Sequence, residues 1–145
     1  MIKKGFTLVE LLAVIVILAV IMLAAGQNVF KILDDAEKGA FKTEFIDFLN
    51  AAQLASQMDV MNGKITASSP TKCYSYQDLT QTYGYYDAKD GYNGSVKVTY
   101  KNGSYTITGW MNSTKYIINE KDQNVTTDTD IQQSNGATAS TSCGS

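Results

Sequence analysis

From Phe6 to Gly26 the chain reads FTLVELLAVIVILAVIMLAAG, an apolar run broken by a single charge, Glu10. As a helix that run spans about 32 Å, close to the thickness of a bilayer's hydrocarbon core. Its β-branched residues do not forbid a helix, because in lipid the backbone must satisfy its own polar groups and a helix does so. Lys3 and Lys4 precede it, so the positive-inside rule places the N-terminus in the cytoplasm and the remainder outside. A charge inside such a run is costly even on mild insertion scales, and Glu10 therefore calls for a reason.

The helical pattern then continues with a change of character. Val29, Leu33, Ala36, Ala40, Phe41, Glu44, Phe45, Phe48, Ala52 and Ala55 recur at three- and four-residue steps, which predicts one apolar stripe interrupted by Glu44. Asp34, Asp35, Glu37, Lys38, Lys42 and Asp47 fill most of the other face, and no proline falls between Phe6 and Ser69. The reading is one continuous helix from Phe6 to about Met58 or Met61, stopped at Asn62-Gly63. Roughly 80 Å of helix does not fit inside a small globule. Its apolar half, 6–26, is expected to project into a membrane or other molecules, and its amphipathic part, 27–60, to pack. The head, 61–145, has Pro70 in a Ser/Thr-rich loop and Ser75-Tyr76-Gln77-Asp78 as a cap for a short helix through Tyr83. A Gly/Tyr/Asp loop covers 84–94. SVKVTYKNGSYTITGW then alternates around Asn102-Gly103, a strong hairpin signal, with Val96, Val98 and Tyr100 on one face of the first strand. Tyr105, Ile107 and Gly109 alternate along the second. Lys115–Asn119 supplies a third strand, giving an α+β fold in which a small antiparallel meander covers the helix stripe. From Asp122 onward the polar composition predicts a loose tail.

Composition excludes more than it offers. The basic residues are 12 lysines with no arginine, there is no histidine, and the net charge is −2. Without histidine the commonest general base and metal ligand is missing. A lysine-only set lacks the planar fork suited to phosphate, and the charge gives no case for nucleic acid as a partner. No Walker loop, nucleophile elbow or zinc spacing is present; the expectation is no enzyme, no cofactor and no metal. Asp122, Asp128 and Asp130 could bind calcium through oxygen, but their spacing is not an EF-hand, and a solvated acidic loop is the favoured reading. Tyr83, Tyr85, Tyr86 and Tyr92 are read as packing residues, with a binding surface as the alternative. The glycosylation-like triplets at Asn93, Asn102, Asn112 and Asn124 are read as chance matches in a Ser/Thr/Asn-rich chain. Two cysteines, Cys73 and Cys143, suit one disulfide in an oxidising compartment; two free thiols are the alternative.

Gly5-Phe6-Thr7-Leu8-Val9-Glu10 after a basic leader, followed by the apolar run, resembles the type III signal of type IV prepilins. The long helix and late antiparallel sheet are similar to the same family's fold. The resemblance implies that a prepilin peptidase cleaves between Gly5 and Phe6, removing leader residues 1–5, and that Phe6 is N-methylated. Loss of Lys3 and Lys4 takes the formal side-chain charge from −2 to −2 − 2 = −4. It further implies a structural subunit, held in the cytoplasmic membrane as a precursor and polymerised with identical copies into an extracellular helical filament. An assembly ATPase, a membrane platform protein and, for a pilus, a retraction motor would drive it, and the heads would serve adhesion, motility, biofilm formation or DNA uptake. Glu10 would then pair with the new Phe6 amine, within one subunit or between neighbours. The alternatives are a pseudopilin of type II secretion or competence, a single-pass surface binding module that never polymerises, and a secretory signal cut near Ala25-Gly26. Many family members carry a glycine and a proline that break the helix in or just after its apolar half; LAVIMLAAGQN has Gly26 alone, which predicts a straighter helix. The Lys-, Asn-, Tyr- and Ile-rich composition points to an AT-rich genome and a Gram-positive host.

Overall fold

A computed structural model describes residues 7–87, 89–126, 129–135 and 143, Gln27 by its backbone only. The chain divides into two compact units, Met1–Glu37 and Lys38–Ser145. One helix, α1 (Leu8–Met61), contributes to both. Within the first unit its large apolar side chains, from Leu8 through Leu33, are exposed. Mean hydropathy over its most apolar stretch reaches 3.0, and the helix is long and apolar enough to cross a membrane.

In the second unit α1 lies against an antiparallel sheet. Its strands are β1 (Thr71–Ser75), β2 (Asn93–Lys101), β3 (Ser104–Asn112), β4 (Tyr116–Lys121) and β5 (Gln132–Gln133), side by side in sequence order. Phe41, Phe45, Phe48, Leu49, Ala52 and Ala55 of α1 share one core with Val96, Val98, Met111 and Ile118 of the sheet. Fully burying a large apolar side chain of this kind contributes about 1.5–3 kcal/mol. Glycines set the closeness of the layers. A Cβ on Gly109 would fall 2.7 Å from the Leu49 side chain, and one on Gly94 would fall 2.9 Å from that of Phe48. Trp110 alternates with Met111 along β3, so it lies on the other sheet face, where it and Ile117 form a second buried cluster.

The helix and the hairpin follow the sequence pattern. Asn102 and Gly103 take φ of 52° and 81°, as the mirror-image turn between two twisted strands requires. Four expectations need correction. The apolar stripe is buried only from Phe41 onward; Val29, Leu33, Ala36 and Ala40 are exposed. The sheet has five strands rather than three, because TKCYS pairs with β2 along its whole length and Gln132–Gln133 pairs with β4. The last long strand runs Tyr116–Lys121 rather than Lys115–Asn119. After Asp122 the described residues 123–126 and 129–135 are not loose, since Val125 and Ile131 enter the core at 2% and 5% exposure. Two well-placed apolar residues and a strand edge hold what composition alone assigns to solvent. The short helix after Ser75 is a π-helical turn, Asp78–Thr82. Its expected cap is present: the Ser75 backbone N–H and hydroxyl donate to the Asp78 carboxylate at 2.9 and 2.7 Å, and the Asp78 N–H donates back to Ser75 Oγ at 3.1 Å.

Candidate functional site

Gly5 and Phe6, the expected cleavage and methylation residues, lie outside the described residues, so the expected pairing of Glu10 with Phe6 does too. The described segment opens at Thr7, immediately before α1. The Thr7 backbone N–H and hydroxyl both donate to Glu10 Oε2 at 2.9 Å, and the Glu10 N–H donates to Thr7 Oγ1 at 3.4 Å. That reciprocal arrangement is a capping box, which satisfies donors that a helix start otherwise leaves open. Thr7-Leu8-Val9-Glu10 carries the S/T-x-x-E signature. The sequence reading assigned Glu10 to the Phe6 amine and passed over this local partner. The carboxylate orders the first turn of an apolar helix, and a negative group there also suits the helix dipole.

In the second unit two carboxylates tie α1 to the chain around it. Asp59, fully buried near the end of α1, accepts from Lys72 Nζ at 2.5 Å, Tyr83 Oη at 2.6 Å and Tyr74 Oη at 2.9 Å. Lys64 Nζ approaches its other oxygen at 3.4 Å. Burial pushes the Asp59 carboxyl up, but the bonds from Lys72, Tyr83 and Tyr74 outweigh it and hold it down at about 2. Burial pulls the Lys72 ammonium down, and its bonds to Asp59 and Tyr83 more than reverse this. Burial, then the Asp59 bond, raises the Tyr74 phenol. About four turns earlier on α1, Glu44 accepts from the Tyr86 hydroxyl and the Lys89 ammonium. The Glu44 bond raises the Lys89 ammonium despite slight desolvation; burial, then the Glu44 bond, raises the Tyr86 phenol. The Lys89 backbone N–H donates to Tyr76 Oη at 2.8 Å. Asp59 continues the buried series Phe48, Ala52, Ala55, so an acid on the apolar stripe was the available signal for it.

The other candidates resolve individually. Cys73 and Cys143 form a disulfide with Cα atoms 5.8 Å apart, 70 residues apart in sequence. Cys73 lies on β1, at one edge of the sheet, and the chain reaches Cys143 after β5, at the other edge. Tyr86 is buried, Tyr92 packs on Phe41 at 5.8 Å, Tyr83 packs edge-on to Tyr74 at 5.6 Å, and Tyr85 remains 41% exposed. Asp130 pairs with Lys121 at 2.8 Å, and Asp122 accepts the Asn124 N–H at 2.8 Å. Asp128 lies outside the described residues.

A protein-family model described as the prokaryotic N-terminal methylation motif matches residues 1–26. No curated protein and no solved structure matches the chain. The motif implies processing by a prepilin peptidase and pilus assembly machinery, and with the apolar helix it supports membrane anchoring. That signal at the head of a long helix packed on a small antiparallel sheet supports a type IV pilin-like precursor.

Proposed function

We propose that this chain is the structural, non-enzymatic subunit of a type IV pilus. It waits in the cytoplasmic membrane, loses residues 1–5 after Gly5, is methylated on Phe6, and is then polymerised by an assembly ATPase and a membrane platform protein into an extracellular filament. The observation that carries this reading is the methylation motif at 1–26 running without interruption into the exposed apolar part of α1. Leaving lipid for a bundle of identical helices gains little from apolar transfer, because lipid is as apolar as the bundle. Packing and polar contacts must set the direction of assembly. Glu10 is the polar residue of that region, and an unpaired buried charge costs several kcal/mol. It serves as a register device, meeting the Phe6 amine of its own or a neighbouring subunit while its Oε2 caps the helix. The filament then presents the heads for adhesion and motility.

The test is the protein content of the sheared extracellular fraction. Wild-type chain should be recovered there as filaments. Glu10→Ala should be cleaved normally and recovered at a small fraction of that yield. Filaments at wild-type yield from Glu10→Ala would reduce the residue to a helix cap, and the absence of the wild-type chain from the sheared fraction would remove the pilus reading.

A further inference from the structure

We infer that the head carries a head-to-tail docking pair, in which the β2–β3 hairpin tip of one copy seats in an acidic groove on a second copy of this chain. The inference rests on the polymerising role above and names the surfaces that role would use. The groove, about 390 Å³, runs along α1 beside the segment 85–89, and is lined by Asp47, Leu54, Tyr85 and Asp87 among others. Glu44 at its floor is already neutralised by Lys89. Asp47 and Asp87 are not: among the described residues no side-chain hydrogen bond or ion pair engages either. Leu54 is half exposed and Tyr85 41% exposed, so the groove joins two spare carboxylates to an open apolar surface.

The hairpin tip has the complementary chemistry. Lys101 stands exposed at the turn, and Lys97 stands exposed on the same strand; neither has an ion-pair or hydrogen-bond partner among the described residues. On the other face of the same hairpin Tyr100 and Tyr105 stack at 4.7 Å and are only half buried. The tip is narrow, a two-residue turn at Asn102-Gly103, and the groove is shallow.

The two surfaces also lie at different levels along α1, so one molecule does not satisfy itself. The groove flanks α1 between Glu44 and Leu54. The tip lies beside Ile65 and Pro70, past the helix end, where the Tyr100 N–H donates to the Pro70 carbonyl at 2.8 Å. A contact between two different patches is heterologous and does not close at a dimer; it propagates as a ring or an open helix. Opposed charge on the two patches favours this register and disfavours tip-to-tip or groove-to-groove pairing.

The experiment introduces Leu54→Cys and Asn102→Cys together into the full-length chain and treats whole cells with a short bismaleimide. Cys73 and Cys143 are joined to each other and do not react. The expected result is a ladder of dimers, trimers and higher species that neither single variant gives. Lys101→Glu in that background should weaken the ladder at least tenfold, and Asp87→Lys added to it should restore the ladder. No ladder in any fraction, a ladder indifferent to Lys101→Glu, or a dimer from Leu54→Cys alone would overturn the docking pair. Filaments without a ladder would refute the pair and leave the pilus reading standing. A charge-dependent ladder without filaments would refute the pilus reading and leave the pair.

Discussion

Residues 8–37 and 38–61 belong to one helix, yet they meet their surroundings in opposite ways. In the first stretch nearly every large apolar side chain is exposed, Leu8 and Leu23 at 80%. In the second, Phe45, Phe48 and Leu49 are fully buried. Backbone and hydrogen-bond ladder are shared, so the difference is in the distribution of side chains around the axis. Apolar residues on all sides require an apolar surrounding on all sides. A single stripe requires a single sheet.

The comparison can be broken most severely at the signal. On the proposed cleavage after Gly5, Gly5→Val places a side chain where the peptidase would approach the backbone. Full-length precursor should accumulate in the membrane and filament yield should fall to nothing; an immunoblot of membrane and sheared fractions reads both. Next is a matched pair of truncations in the two stretches. Phe48→Ala should cost the head about 3–5 kcal/mol in denaturant unfolding, the usual range for emptying a buried aromatic site. Ile17→Ala, 58% exposed, should leave that transition unmoved. Equal effects would mean that the two stretches fold as one unit.

A comparable loss is expected when the covalent ring around the sheet is opened. Cys143→Ser releases a 70-residue loop, and chain entropy assigns such a loop about 4 kcal/mol. That is a large share of the ~5–15 kcal/mol a domain has in total. Limited proteolysis should then begin in the segment after Asp122, and unchanged protection would show that Val125, Ile131 and β5 hold it unaided.

The smallest effect is a pH dependence confined to the second unit. The Asp59 carboxyl is held at about 2 against an ordinary 3.8. A depressed carboxylate stabilises the fold above its ordinary value and loses that contribution as pH falls through the depressed one. Head stability should therefore fall by on the order of 2 kcal/mol between about pH 4 and pH 2 through this residue alone. Asp59→Asn should begin less stable and titrate less steeply over that window, by thermal melts at stepped pH. Identical slopes for both proteins would remove the Asp59 centre as the cause.

Long-period features were legible in the sequence because many residues repeat them. α1 and the hairpin at Asn102-Gly103 each rest on a dozen or more positions in step. β1 and β5 were not, since TKCYS and two glutamines show no alternation of their own and become strands only by pairing with β2 and β4. Val125 and Ile131 are isolated in a polar tail, and nothing local marks them as core. Glu10 was singled out for its charge and assigned to the Phe6 amine, while Thr7, three residues before it, carried the signature of the partner it has among the described residues. Asp59 was overlooked because its partners, Lys72, Tyr74 and Tyr83, come from segments that tertiary folding alone brings to the helix.

The proposed division of α1 into an assembling half and a head-forming half is tested most directly by the intact mass of this chain in the sheared extracellular fraction. The mass should correspond to a chain beginning at Phe6 with one added methyl group and one disulfide, with both halves of the helix in one polypeptide. A chain that begins near Gly26, or one that still begins at Met1, would contradict the account.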